Sequence, residues 1–144
     1  MRESLSHIVG GRVTNNPAAL LRDLTVLSQD GIAHQRRWEG VIDTGADVCI
    51  LPSQIGRDMF LVEHGQFMRV SSYRKDDPPR ELPVYYVRLL LPSGFLLPTL
   101  AVLSERRNIL IGRSALQQMR LTINWPANFW SLEEISLPRR PGSD

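Results

Sequence analysis

Residues 84–103 form the longest apolar stretch of the chain, and its interruptions decide what it can build. The stretch is nearly long enough to cross a bilayer. Arg88 sits inside it, Pro92-Ser93-Gly94 breaks it in the middle, and Pro98 breaks it again. Two buried strands joined by a turn explain this pattern better than one membrane helix. It therefore predicts strands over 84–91 and 95–103, and no membrane partner.

The rest of the chain has the same short-stranded grammar. An apolar run at 24–27 meets the turn signal Gln29-Asp30-Gly31, and 38–42 returns as a strand ending at Asp43. Further strands are expected at 48–52, 61–70, 109–111 and 121–125, the last stopped by Pro126. Pro52-Ser53-Gln54-Ile55 can open a helical turn. Residues 71–83 are strongly polar, with Lys75-Asp76-Asp77-Pro78-Pro79 as the tip of an exposed hairpin or loop. After Gly112, residues 114–119 read as one short helix, with Ser114 as N-cap and Gln117 as its capping-box partner. The first twenty residues, broken by Gly10-Gly11 and Asn15-Asn16-Pro17, read as an arm or loop. Residues 127–144 read as a loose tail. With 144 residues and 42% hydrophobic content, the chain suits a single all-β domain with one short C-terminal helix.

Several classes of function are disfavoured. Cys49 is the sole cysteine, so an intrachain disulfide and a cysteine-rich zinc site are excluded. His7, His34 and His64 have no metal-ligand spacing and read as surface or packing residues; no metal and no cofactor is expected. The formal net charge is +2, and Arg36-Arg37, Arg106-Arg107 and Arg139-Arg140 are pairs without interleaved aromatics. Nucleic acid is not expected as a partner. The first eleven residues carry Arg2, Glu3 and His7 and lack the apolar core of a signal peptide, so the default location is cytoplasmic.

The chemistry concentrates in Val41-Ile42-Asp43-Thr44-Gly45-Ala46-Asp47. Two β-branched residues deliver a carboxylate to a strand end, and three small residues follow. Such a loop lets another backbone pack closely. Gly45 permits angles a side chain would forbid, and Thr44 offers a hydroxyl for a bond across the contact. By itself the tripeptide Asp-Thr-Gly also fits a plain β-turn, or a phosphate-binding turn. The chain has no glycine-rich phosphate loop with its lysine and no βαβ pattern, which argues against the latter. About seventy residues downstream, Ile109-Leu110-Ile111-Gly112-Arg113-Ser114-Ala115-Leu116 gives a buried strand, a glycine and a short helix.

Together the two segments resemble the retropepsin family, the single-domain aspartic proteases typified by retroviral enzymes. The likeness extends from about Arg22 to Trp125. It implies a short-stranded closed β-barrel, with 1–21 an N-terminal arm or removable pro-segment, 22–125 the protease domain and 126–144 a C-terminal tail. One Asp-Thr-Gly per chain implies a homodimer whose active site forms on the two-fold axis. The resemblance assigns Asp43 to a catalytic pair with its twin and Thr44 to a bond across the dimer. Gly45 would offer its carbonyl to the substrate backbone, and Ala46 would also line the substrate site. Asp47 would stand at the cleft edge, paired with Arg113, which follows the structural Gly112. Arg22 would reach Asp47 from the other chain. Ile50 and Leu110 would line apolar side-chain pockets, although both equally suit a core. Residues 121–125 would form a dimer strand. The substrate is then a peptide or protein cut next to hydrophobic residues.

Against the family pattern, the segment expected to close over the substrate, 69–82, has no glycine. A stiffer or differently shaped flap follows, with Tyr73 a candidate to cover the cleft. That departure keeps a second reading open: a catalytically silent retropepsin-fold module for dimerisation or peptide binding.

Overall fold

The computed structural model describes residues 8–14, 19–70, 76 and 78–135. Ten strands and two short helices follow one another: β1 (Ile8–Arg12), β2 (Leu20–Leu27), β3 (Trp38–Ile42), β4 (Cys49–Pro52), α1 (Ser53–Asp58), β5 (Val62–Val70), β6 (Arg80–Leu90), β7 (Leu96–Ser104), β8 (Ile109–Ile111), α2 (Arg113–Leu116), β9 (Met119–Asn124) and β10 (Phe129–Glu134). The protein is mostly β. Among the described residues, no helix is long and apolar enough to cross a membrane.

The interrupted apolar stretch becomes the β6–β7 hairpin. Leu91 N–H donates to Phe95 O and Gly94 N–H to Leu91 O, and Gly94 takes φ +93°, a turn conformation that glycine adopts without strain. Pro98 faces Arg88 of β6, while β4 pairs with β7 only from Ala101 onward. The proline thus lies where β7 has one neighbour instead of two, and its missing N–H costs no ladder bond on the β4 side.

Seven strands pair in the order β2-β3-β8-β4-β7-β6-β5, and β2 also pairs with β6. Alternate residues of these strands serve two apolar clusters. Cys49, Leu51, Val87, Leu89, Leu97 and Ala101 belong to the main core, which also takes Leu24, Val26, Trp38, Ile109 and Ile111. The opposite faces give Val48, Val84 and Val102, with Ile50, Met68, Leu82 and Leu100 packed on them.

The short elements at the ends differ from the expectation. β1, β10 and β9 form a separate three-stranded sheet. Phe129–Glu134, read as part of a loose tail, is a strand with Trp130 and Leu132 about 1% exposed. Ile8–Arg12, read as part of an arm, pairs along its length with β10. Gly10 serves close approach here: a Cβ would overlap Trp130 O. Among the described residues there are two helices, not one. The capping box is absent, since α2 begins at Arg113 with Gly112 as its cap residue and no side-chain cap bond.

His34 is one of the few buried polar side chains. Its Nδ1 accepts from Arg36 N–H at 3.1 Å and its Nε2 lies 2.9 Å from Asp58 Oδ2. The ring thereby ties the β2–β3 connection to the end of α1, in keeping with a packing histidine.

Candidate active site

Strand order fixes the site. β8 lies between β3 and β4, parallel to β3 and antiparallel to β4. The connection from β3 to β4, residues 43–48, must therefore cross the end of β8. It meets Ile111-Gly112-Arg113 backbone to backbone. Asp43 N–H donates to Ile111 O at 3.0 Å, Arg113 N–H to Ala46 O at 2.7 Å, and Ser114 N–H to Asp47 O at 3.0 Å. A Cβ on Gly112 would overlap the backbone of Val48 and Ala46, so the crossing has room only for glycine.

Within the loop, Asp43 Oδ1 accepts the Gly45 N–H at 2.9 Å, and Ala46 N–H closes a turn onto Asp43 O at 3.3 Å. Asp43 is half-buried, while Thr44, Gly45 and Asp47 are exposed. The carboxylate is therefore oriented by its own loop, and its other oxygen has no hydrogen-bond partner among the described residues. The Arg113 guanidinium donates to Asp47 Oδ1, with both side chains more than half exposed. Such a pair fixes geometry more than it stabilises the fold. Ile50 and Leu110 are direct partners across β4 and β8, both half-buried.

Two of the expected residues stand apart. Arg22 lies on β2 and its nearest described ion pair is Glu39, at 4.0 Å, between exposed side chains. Tyr73 lies outside the described residues, as do Lys75 and Asp77 of the expected flap tip; the flanking β5 and β6 pair up to Val70 and Arg80. Among the described residues, no group of three or more His, Cys, Asp or Glu is arranged to hold a metal ion.

A buried polar chain behind the loop was not anticipated. Thr99 Oγ1 of β7 lies 2.7 Å from Ser114 Oγ and 3.6 Å from Cys49 Sγ. Both hydroxyls also reach Leu100 O, at 3.3 and 3.2 Å. Burial pushes the Cys49 thiol above its ordinary value, outweighing hydrogen bonds with the Gly112 backbone, Thr99 and Ser114. Burial thus disfavours the thiolate, in keeping with a small core residue. In the native protein its reaction with a thiol reagent at mildly alkaline pH is expected to be slower than in the unfolded chain by roughly a hundredfold or more. Equal rates would contradict the burial.

No protein-family model matches the chain, and no curated protein matches its sequence. Solved structures do. A retropepsin-like aspartic protease from Rickettsia conorii aligns with a TM-score of 0.53 at 11% identity, covering 93% of this chain and 98% of that one. The fold is retropepsin-like. Lower TM-scores of 0.45 relate the chain to the simian foamy virus (mac) protease, at 18% identity over 66% of this chain and 91% of that one, and to the EIAV protease complexed with the inhibitor HBY-793, at 17% identity over 73% and 92%. In this retropepsin-like chain, the Asp-Thr-Gly loop and the Ile-Gly-Arg crossing lie against each other, as their pairing in the sequence had suggested.

Proposed function

We propose that the protein is a homodimeric aspartic endopeptidase that cuts peptide bonds next to hydrophobic residues. The observation that carries this reading is the loop of Asp43-Thr44-Gly45, anchored on Ile111 and Arg113 with one Asp43 oxygen unengaged by the loop, in a retropepsin-like fold. Each chain supplies one such carboxylate, so the chemistry needs two chains.

Asp43 and its counterpart face each other across the two-fold axis and share one proton, because two carboxylates at close range do not both ionise cheaply. The ionised member takes a proton from a bound water. The protonated member donates to the scissile carbonyl oxygen as the water attacks. The resulting tetrahedral diol collapses when one Asp43 carboxyl protonates the leaving nitrogen while the other takes a proton from a diol hydroxyl, which restores the shared proton. Thr44 joins the two loops, and the Gly45 carbonyl with Ala46 and Asp47 lines the substrate backbone. Ile50 and Leu110 supply apolar walls, which favours hydrophobic side chains beside the cut bond. Gly112 and Arg113 hold the loop, and Arg22 reaches Asp47 of the other chain.

The test is cleavage of casein between about pH 4 and 7 over a dilution series, with and without pepstatin. Cleavage is expected, with specific activity falling on dilution as the dimer dissociates. Inertness at every pH, in a sample shown to be dimeric, would replace this reading with that of a silent binding module.

A further inference from the structure

We propose that Thr99 is a positioning residue: its hydroxyl clasps α2 and β4 together and so fixes the substrate-facing half of the 43–48 loop. The inference rests on the peptidase reading for its kinetic part, but the clasp itself is a statement about the fold.

Three elements meet at one buried hydroxyl. Thr99 is 7% exposed, and its Oγ1 stands between Ser114 Oγ at 2.7 Å and Cys49 Sγ at 3.6 Å. Cys49 opens β4, directly after the loop. Ser114 is the second residue of α2, and its N–H holds Asp47 O while the adjoining Arg113 N–H holds Ala46 O. Displacement of α2 would carry both donors away from the loop. A helix of four residues has little rigidity of its own; core burial of Ala115 and Leu116 and the Gln118 bond to Pro98 O hold it in part, and the Thr99 anchor to β7 sets the register of its first-turn donors.

The two halves of the loop are held differently. Asp43 is tied to β8 through its own N–H on Ile111 O, independently of Thr99. Ala46 and Asp47 depend on α2. Loss of the clasp therefore disturbs the part that receives substrate and spares the carboxylate. That predicts a rise in KM with kcat little changed. A substitution that only lowered the folded fraction would do the reverse, reducing apparent kcat at constant KM.

Thr99→Val removes the hydroxyl at nearly constant shape, and Ser114 Oγ still has Leu100 O to donate to. The experiment compares wild type, Thr99→Val and Thr99→Ser by peptide-cleavage kinetics and by amide hydrogen exchange. In Thr99→Val, KM is expected to rise about tenfold with kcat within about threefold. Exchange at the Arg113 and Ser114 amides should quicken about tenfold while core strand amides keep their rates. Thr99→Ser should restore both. Unchanged KM and exchange in folded Thr99→Val would overturn the proposal, and so would a Thr99→Ser as impaired as the valine. Should Thr99→Val not fold, Ser114→Ala gives the same decision, since Thr99 keeps Leu100 O as acceptor. If the wild type cleaves nothing but the exchange pattern appears, the clasp stands and the peptidase reading falls.

Discussion

Asp43→Asn is expected to lower kcat/KM on casein-derived peptides by on the order of a thousandfold or more, leaving the fold in place. The size follows from the chemistry. In a homodimer the substitution removes both carboxylates at once, so no group is left to take the proton of the attacking water or to protonate the leaving nitrogen. General acid and base assistance each contribute about 10² to 10⁴ in rate, and here both vanish together. The survival of the fold follows from the loop geometry. What Asp43 gives the structure is an acceptor for the Gly45 N–H and its own backbone N–H to Ile111 O. Asparagine supplies an oxygen acceptor of the same reach and the same backbone, so the loop keeps its turn. Circular dichroism and the dimer equilibrium should therefore match wild type while turnover disappears. Activity retained at more than about a tenth of wild type would sink the dyad mechanism, because the loop's other carboxylate, Asp47, is paired with Arg113 and is not the group the mechanism uses. A wild type and variant alike in binding an uncleaved peptide would point to the silent module instead.

The same loop shows what a sequence can and cannot reveal. β3 and β8 were read with their true ends, because each is a short β-branched run closed by chemistry: an aspartate in one case, a glycine in the other. The Asp47–Arg113 pair followed from the family resemblance that two motifs about seventy residues apart carry, and the structure holds it. Thr99 had no such signature. It is one threonine in an apolar strand, and its partners Cys49 and Ser114 come from other parts of the chain. The misplaced helix cap has the same origin. Ser114 resembles an N-cap locally, yet its hydroxyl is drawn off to Thr99 and Leu100 O, which local reading cannot see. Gly10-Gly11 looked like a breaker of structure. In the fold, Gly10 is where one strand lets another approach, a requirement set by Trp130. The flap expectation, with Tyr73, falls partly on residues 71–75 and 77, which lie outside the described residues.

Trp130→Ala is expected to cost about 3–5 kcal/mol of stability, against a total of about 5–15 kcal/mol for a domain of this kind. Trp130 is among the largest fully buried side chains. It faces Gly11 and Ile123 across the two ladders of the terminal sheet. Its indole Nε1 lies 3.4 Å from where a Gly11 Cβ would stand, so the ring lies close over a strand with little side chain of its own to fill a void. Relaxation into the cavity is limited on that side, which places the cost in the upper part of the range for an aromatic deletion. Urea unfolding should show the midpoint falling steeply with an unchanged slope. Phe129→Ala, next along the strand but 49% exposed, serves as the contrast and should change stability by less than about 1 kcal/mol. A chain ended after Trp125 should fare worse than either, since it takes β10 from both β1 and β9 and leaves two strands without the partner between them. Such a chain folding and dimerising as well as the 144-residue chain would mean that 126–144 is a dispensable tail after all. Any peptidase activity should fall with the terminal sheet, because α2, which holds the 43–48 loop, runs directly into β9 through Met119, itself part of the main core.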